Sequence, residues 1–143
     1  MGEQSNGTGN GMGICYTYGY QNKRVGELER LVERNHIRLI ADVRERPYSA
    51  RPEFRQETLR GRVAGYEHIG ALGNSGRLDN GDGRWKPASQ PEAQEALVQI
   101  SLRLHAGESV LLLCVEPQAQ QCHRGEIAKR LRGMTGCEVR HLC

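Results

Sequence analysis

The chain has 143 residues, 37% of them hydrophobic, with one Trp, one Phe and a formal net charge of +3. That length lets one domain bury an aliphatic core without disulfide or metal staples, and no apolar run approaches the roughly 18 residues of a membrane span. The charge is too mild to argue by itself for nucleic-acid binding. The five cysteines (Cys15, Cys114, Cys122, Cys137, Cys143) follow an N-terminus unlike a secretion signal, so reduced thiols and a cytoplasmic location are expected.

Residues 1–12 are polar and glycine-rich and are expected to form a disordered tail ahead of an α/β domain at 13–143. Ile14-Cys15-Tyr16-Thr17-Tyr18 is rich in β-formers and stops at Gly19, which predicts a first strand. Val25, Leu28, Leu31 and Val32 recur at helical spacing, and Asn35 is a suitable C-cap. Residues 37–43 read as a second strand apolar enough to be covered on both faces. Residues 44–54 carry Pro47 and Pro52 without periodicity and read as a loop. A short helix over 55–62 and a third strand over 65–69 follow. Residues 70–89 hold Gly73, Gly76, Gly81 and Gly83 and read as a long loop, where Trp85 is either a lid residue or a hydrophobic anchor. Residues 91–105 form a strongly periodic helix with Ser89 as its cap. Residues 108–115 make the central strand, 122–134 the last helix, and 137–142 a closing strand. This alternation predicts a single three-layer α/β domain with a mostly parallel sheet of about five strands, Rossmann-like or flavodoxin-like.

In such a sheet, ligands bind beyond the carboxyl ends of the strands. Four segments are expected to meet there: Tyr18-Gly19-Tyr20; Asp42-Val43-Arg44; Cys114-Val115-Glu116; and Cys122-His123-Arg124. A helix opening on Cys, His and Arg suits an anion, because its free N–H groups and dipole favour negative charge, and Arg124 adds a forked contact. The alternative is that Arg124 merely ties loops together through Asp42 or Glu116. Arg44 and Arg51 are expected to clamp a phosphate, with Ser49 as donor. Arginine supplies nearly all the basic residues and suits bidentate contacts, although compositional bias explains its abundance equally well. The rings of Tyr18, Tyr20, Tyr48 and Tyr66 could stack on a base.

Cys114, Glu116, Cys122 and Asp42 are the candidate catalytic groups. A thiol at a helix start or beside His and Arg is activated; a carboxylate at the end of a buried strand is a candidate acid or base. Packing of Cys114 in the core, a reversible disulfide, and an Asp42 salt bridge to Arg44 or Arg51 are the competing structural roles. His68 is a candidate base or ligand contact. No cofactor is expected: Cys114, Cys122 and His123 give three soft donors for zinc, with Glu116 or His68 as a fourth, but their spacing is not that of a common zinc module.

Taken together, Tyr16-Thr17-Tyr18-Gly19-Tyr20, Asp42-Val43-Arg44 with Pro47, Ser49, Arg51 and Phe54, Tyr66-Glu67-His68-Ile69 with Leu72-Gly73, Leu113-Cys114-Val115-Glu116, Cys122-His123-Arg124 and Val139-Arg140-His141-Leu142 resemble the DUF488 family. The resemblance implies a compact α/β fold with a shared pocket and supplies no reaction.

The expected function is that of a small enzyme acting on a nucleotide-like or other phosphorylated ligand, by glycosidic or transferase chemistry. Rhodanese-like thiol chemistry is one alternative; a non-enzymatic binder of a small anionic ligand, such as a nucleotide or a nucleic-acid base, is another. No membrane partner is expected.

Overall fold

The computed structural model describes residues 11–74, 85–115 and 123–142. Strands β1 (Cys15–Gly19), β2 (Ile37–Asp42), β3 (Tyr66–His68), β4 (Ser109–Cys114) and β5 (Val139–Leu142) form one sheet in the order β3-β2-β4-β1-β5. Every pairing is parallel. This order is neither the 3-2-1-4-5-6 nor the 2-1-3-4-5 arrangement of the two common doubly wound folds, so the three-layer α/β expectation stands without that finer likeness.

Between the strands run helices α1 (Val25–Arg34), α2 (Gln56–Arg62), α3 (Gln90–His105) and α4 (His123–Thr135). Local chemistry fixes their ends. Asn35 closes α1 by donating its side-chain amide to the Leu31 carbonyl at 2.9 Å. Ser89 opens α3 by accepting from the Glu92 N–H, and Pro91 occupies the first turn, where its missing donor costs nothing.

Right-handed crossovers dictate the layering. The chain moves one way along the sheet through α1 and α2, so both cover one face; it returns through α3 and α4, which cover the other. Side-chain alternation then splits the core. Tyr16, Tyr18, Ile40, Leu111 and Leu113 pack with Leu28, Phe54 and Leu59 on the α1/α2 face. Cys15, Ala41, Leu112 and Cys114 pack with Leu97, Ile100, Ile127 and Leu131 on the α3/α4 face. β4 is buried at every position, and each of its leucines contributes on the order of 1.5–3 kcal/mol by leaving water.

Met12, at the end of the expected tail, packs against the α3/α4 core; residues 1–10 lie outside the described residues. So does 75–84 of the glycine-rich loop. Trp85 is an anchor: it is buried, its indole donates to the Gly73 carbonyl at 3.0 Å, and the Arg130 guanidinium sits 5.3 Å from its ring. No helix among the described residues is long and apolar enough to cross a membrane.

Candidate functional site

The carboxyl ends of β1, β4 and β2 stand side by side. The helix after β4 leaves on one face, while those after β1 and β2 leave on the other. In α/β sheets such a reversal marks where ligands bind, which makes the end of β4 the candidate position. The loop after β1 runs alongside it, with the Tyr20 and Gln21 N–H groups donating to the Cys114 and Val115 carbonyls at 3.1 and 3.0 Å. On the other flank, the Val43 N–H donates to the Leu113 carbonyl at 3.1 Å. The predicted segments do meet at this edge, but parity divides their side chains between the two faces.

On the α1/α2 face, Asp42 and Arg44 form a closed network. Arg44 donates Nε to Asp42 Oδ1 at 2.8 Å and Nη2 to Oδ2 at 2.6 Å. Its Nη1 donates to the Tyr20 hydroxyl at 3.0 Å and the Phe54 carbonyl at 2.8 Å. Four of the five guanidinium N–H bonds are thus committed. Asp42, with no exposed surface, also accepts from the Arg44 backbone N–H and the Tyr66 hydroxyl. Burial works against the Arg44 charge, but hydrogen bonding and attraction from Asp42 more than offset it and hold the guanidinium protonated beyond its usual range. Burial and the bond to Asp42 push the Tyr66 phenol well up. His68 donates Nε2 to the Arg44 carbonyl at 2.8 Å. Arg44 points inward as a buried tie, and Asp42 serves it; the salt-bridge alternative describes both.

Next to this network, the loop expected to bind phosphate is organised by its own arginines. Ser49 accepts from the Arg51 N–H at 3.1 Å, and its carbonyl takes Arg55 Nε at 2.8 Å. Arg51 lies 4.9 Å over the Phe54 ring and donates to the Lys23 carbonyl and, at 2.8 Å, to Glu53. Glu53 reaches the first turn of α1, where one oxygen accepts from the Val25 N–H at 3.0 Å and the other pairs with Arg24 at 3.2 Å. Those contacts, the backbone bond foremost, hold the carboxyl below its ordinary range. Tyr18 and Tyr20 are 1% and 3% exposed, so neither ring offers a stacking surface; Tyr48 is 65% exposed and carries Arg55 at 4.9 Å. The Tyr18 hydroxyl is buried with no hydrogen-bond partner among the described residues, a cost of about 1–3 kcal/mol. Burial chiefly, and Glu27 next, push it up to about 12 against the opposing charge of Arg51.

On the α3/α4 face, Cys114 closes β4 with its thiol in the apolar cluster, 5% exposed. His123 donates Nε2 to the Val43 carbonyl at 2.6 Å, which pins the start of α4 to the end of β2. Arg124 is completely buried. Burial first, and the Arg124 charge second, lower the pKa of His141, whose Nδ1 lies 2.7 Å from the Thr17 hydroxyl. Cys114, His123 and Arg124 thus share a face, while Tyr20, Asp42, Arg44, Ser49, Arg51 and His68 belong to the other. Glu116 and Cys122 lie outside the described residues. Sequence reasoning missed Glu53, which looked like one more loop acid; its only signal was its place two residues beyond Arg51.

Among the described residues, no group of three His, Cys, Asp or Glu side chains is placed to hold a metal. A separate groove lined by Leu39, Ile69, Ala96, Ile100 and Arg103 contains none of the predicted site residues. A family model described as a domain of unknown function, DUF488, matches residues 23–131, most of the chain. No curated protein and no solved structure matches it.

Proposed function

This chain belongs to the DUF488 family, and from that premise we propose that it is an enzyme acting on a nucleotide-like or otherwise phosphorylated ligand held beside the carboxyl end of β4. One observation carries the reading: β4 is flanked on both sides by strands whose following helices depart over the opposite face, the arrangement that opens a ligand crevice in α/β sheets. The chemistry bordering that crevice supports an anion, with the α4 start at His123-Arg124 on one side and the α1 start with Arg51 on the other.

With Asp42 committed to Arg44 and Tyr66, Glu116 becomes the acid–base group of choice, for glycosidic or group-transfer chemistry. Thiol transfer at Cys114 is supported by its position at the end of β4, but its burial in an apolar cluster favours the phosphorylated-ligand reading. Buried thiols at Cys15 and Cys137 suit a reducing, cytoplasmic setting.

Calorimetric titration with AMP and with adenosine tests the reading. AMP should bind at least about tenfold more tightly, the scale of one or two charge-assisted hydrogen bonds to the phosphate. Equal affinities, or no binding of either, would reject a phosphate-reading site. Glu116→Gln should keep AMP affinity and lose turnover of a nucleotide-type substrate. Retention of AMP without any product from the unmodified chain would leave a binder in place of an enzyme.

A further inference from the structure

We propose that the groove between β3 and the flank of α3 is the surface on which two copies of this chain associate about a two-fold axis, with the exposed Leu102 of each copy seated in the groove of the other.

The groove follows from the topology. On the face covered by the returning helices, α3 packs against β4, and α4 packs against β1 and β4. The outer strands β2 and β3 present the rest of that face, and a cavity of about 510 Å³ lies between them and α3. Its floor is apolar, formed by Leu39, Ile69, Ala96 and Ile100. Leu39 and Ile100 also belong to the α3/α4 core, so the groove opens the margin of that core to water. Leu102 stands on the rim at 56% exposure, the most exposed large aliphatic side chain among the described residues. Covering the floor and the leucine together is favourable in proportion to the apolar area removed from water.

Charge indicates what covers them. Glu67 is the register partner of Ala41 and so faces the α3/α4 side; it is exposed and makes no hydrogen bond or ion pair among the described residues. Arg103, on the helix wall, donates Nε to Glu108 Oε1 at 2.6 Å, and neither of its Nη groups finds an acceptor among the described residues. An unmatched carboxylate and an unmatched guanidinium fork beside one apolar hollow make a surface that is its own complement. Under a two-fold axis the contact is isologous: Glu67 of one copy meets Arg103 of the other, and the reciprocal pair forms with it. The net charge of +3 raises little long-range repulsion between copies. An acid facing inward on an edge strand has a rival role, that of discouraging pairing with other chains. The two roles differ in sign: as a guard Glu67 opposes association, and as a contact it supports it.

Sedimentation equilibrium of the intact chain measures the association directly. The expected result is a monomer–dimer equilibrium in the micromolar range, since one leucine and one groove per copy make a small interface. Leu102→Glu should weaken the dimer at least about tenfold. Glu67→Arg and Arg103→Glu should each weaken it to a similar degree, because each sets like charges at both crossings of the axis. A one-to-one mixture of those two variants sets opposite charges at both crossings and should dimerise again, close to the affinity of the unmodified chain. An unmodified chain that stays monomeric up to about 200 µM would overturn the inference. A dimer that Leu102→Glu leaves intact, a dimer tightened by Glu67→Gln, or a mixture that fails to recover would overturn it equally. Should circular dichroism show that a charge variant does not fold, Leu102→Glu decides alone, because that side chain is exposed and its replacement leaves the core intact. AMP binding has no part in this outcome, so the dimer and the ligand reading stand or fall separately.

Discussion

Replacing Asp42 with alanine should be among the most damaging single changes in the molecule. The Asp42 carboxylate accepts from Arg44 Nε, Nη2 and backbone N–H and from the Tyr66 hydroxyl. Arg44, only 4% exposed, would keep its charge and lose its counter-charge. Breaking a buried pair by removing one partner costs about 3–5 kcal/mol, because the remaining charge stays desolvated. Against a total stability on the order of 5–15 kcal/mol, that is about a fifth at the least. At about 3–4 °C per kcal/mol for a chain this size, the melting temperature should fall by roughly 9–20 °C. Urea unfolding followed by circular dichroism measures the change as a lower midpoint with an unaltered slope. The double variant Asp42→Ala, Arg44→Met should recover much of the loss, since it removes the stranded charge. A loss below about 1 kcal/mol for Asp42→Ala, the level of an exposed pair, would refute the view that this carboxylate holds Arg44 in place.

Tyr66→Phe removes one donor to Asp42 and should cost about 1–2 kcal/mol in the same assay; no loss would place the phenol outside the network. His141 has a lowered pKa when folded, so below its ordinary value of 6.5 the unfolded chain takes up a proton that the folded chain resists. Stability should therefore fall as pH drops from about 7.5 to 5.5, and His141→Gln should flatten that part of the profile. Gly65 has φ +84°, and a Cβ there would stand 2.4 Å from the Arg38 carbonyl oxygen, so Gly65→Ala should lower the urea midpoint, by a stability loss of at least about 1 kcal/mol. An unchanged midpoint would show that the β2–β3 connection relaxes freely.

Much of the fold was legible because hydrophobic period and punctuation agree along this chain. Val25, Leu28, Leu31 and Val32 marked α1, Asn35 ended it, and Ser89 with Pro91 marked the start of α3. Four apolar residues in a row, Val110 to Leu113, announced a strand covered on both faces. Strand order was not legible, since it depends on which way each crossover travels. The site was legible as a set of segments and illegible as a set of contacts. Tyr18 and Tyr20 read as open rings, but their parity turns both toward α1 and α2, into the core. Arg44 read as an anion clamp, but two positions along it finds Asp42, and burial of both makes that pair the better partner for each. Glu53 gave no signal because its meaning lies in the Val25 amide 28 residues earlier, a relation that only the folded chain creates.

The most direct test of the central claim is amide chemical-shift mapping during an AMP titration. Shifts centred on Tyr20, Gln21, Val43, Arg44, Val115 and His123, around the end of β4, are the predicted result. No shifts, or shifts confined to the groove at Leu39, Ile69, Ala96 and Ile100, would contradict it.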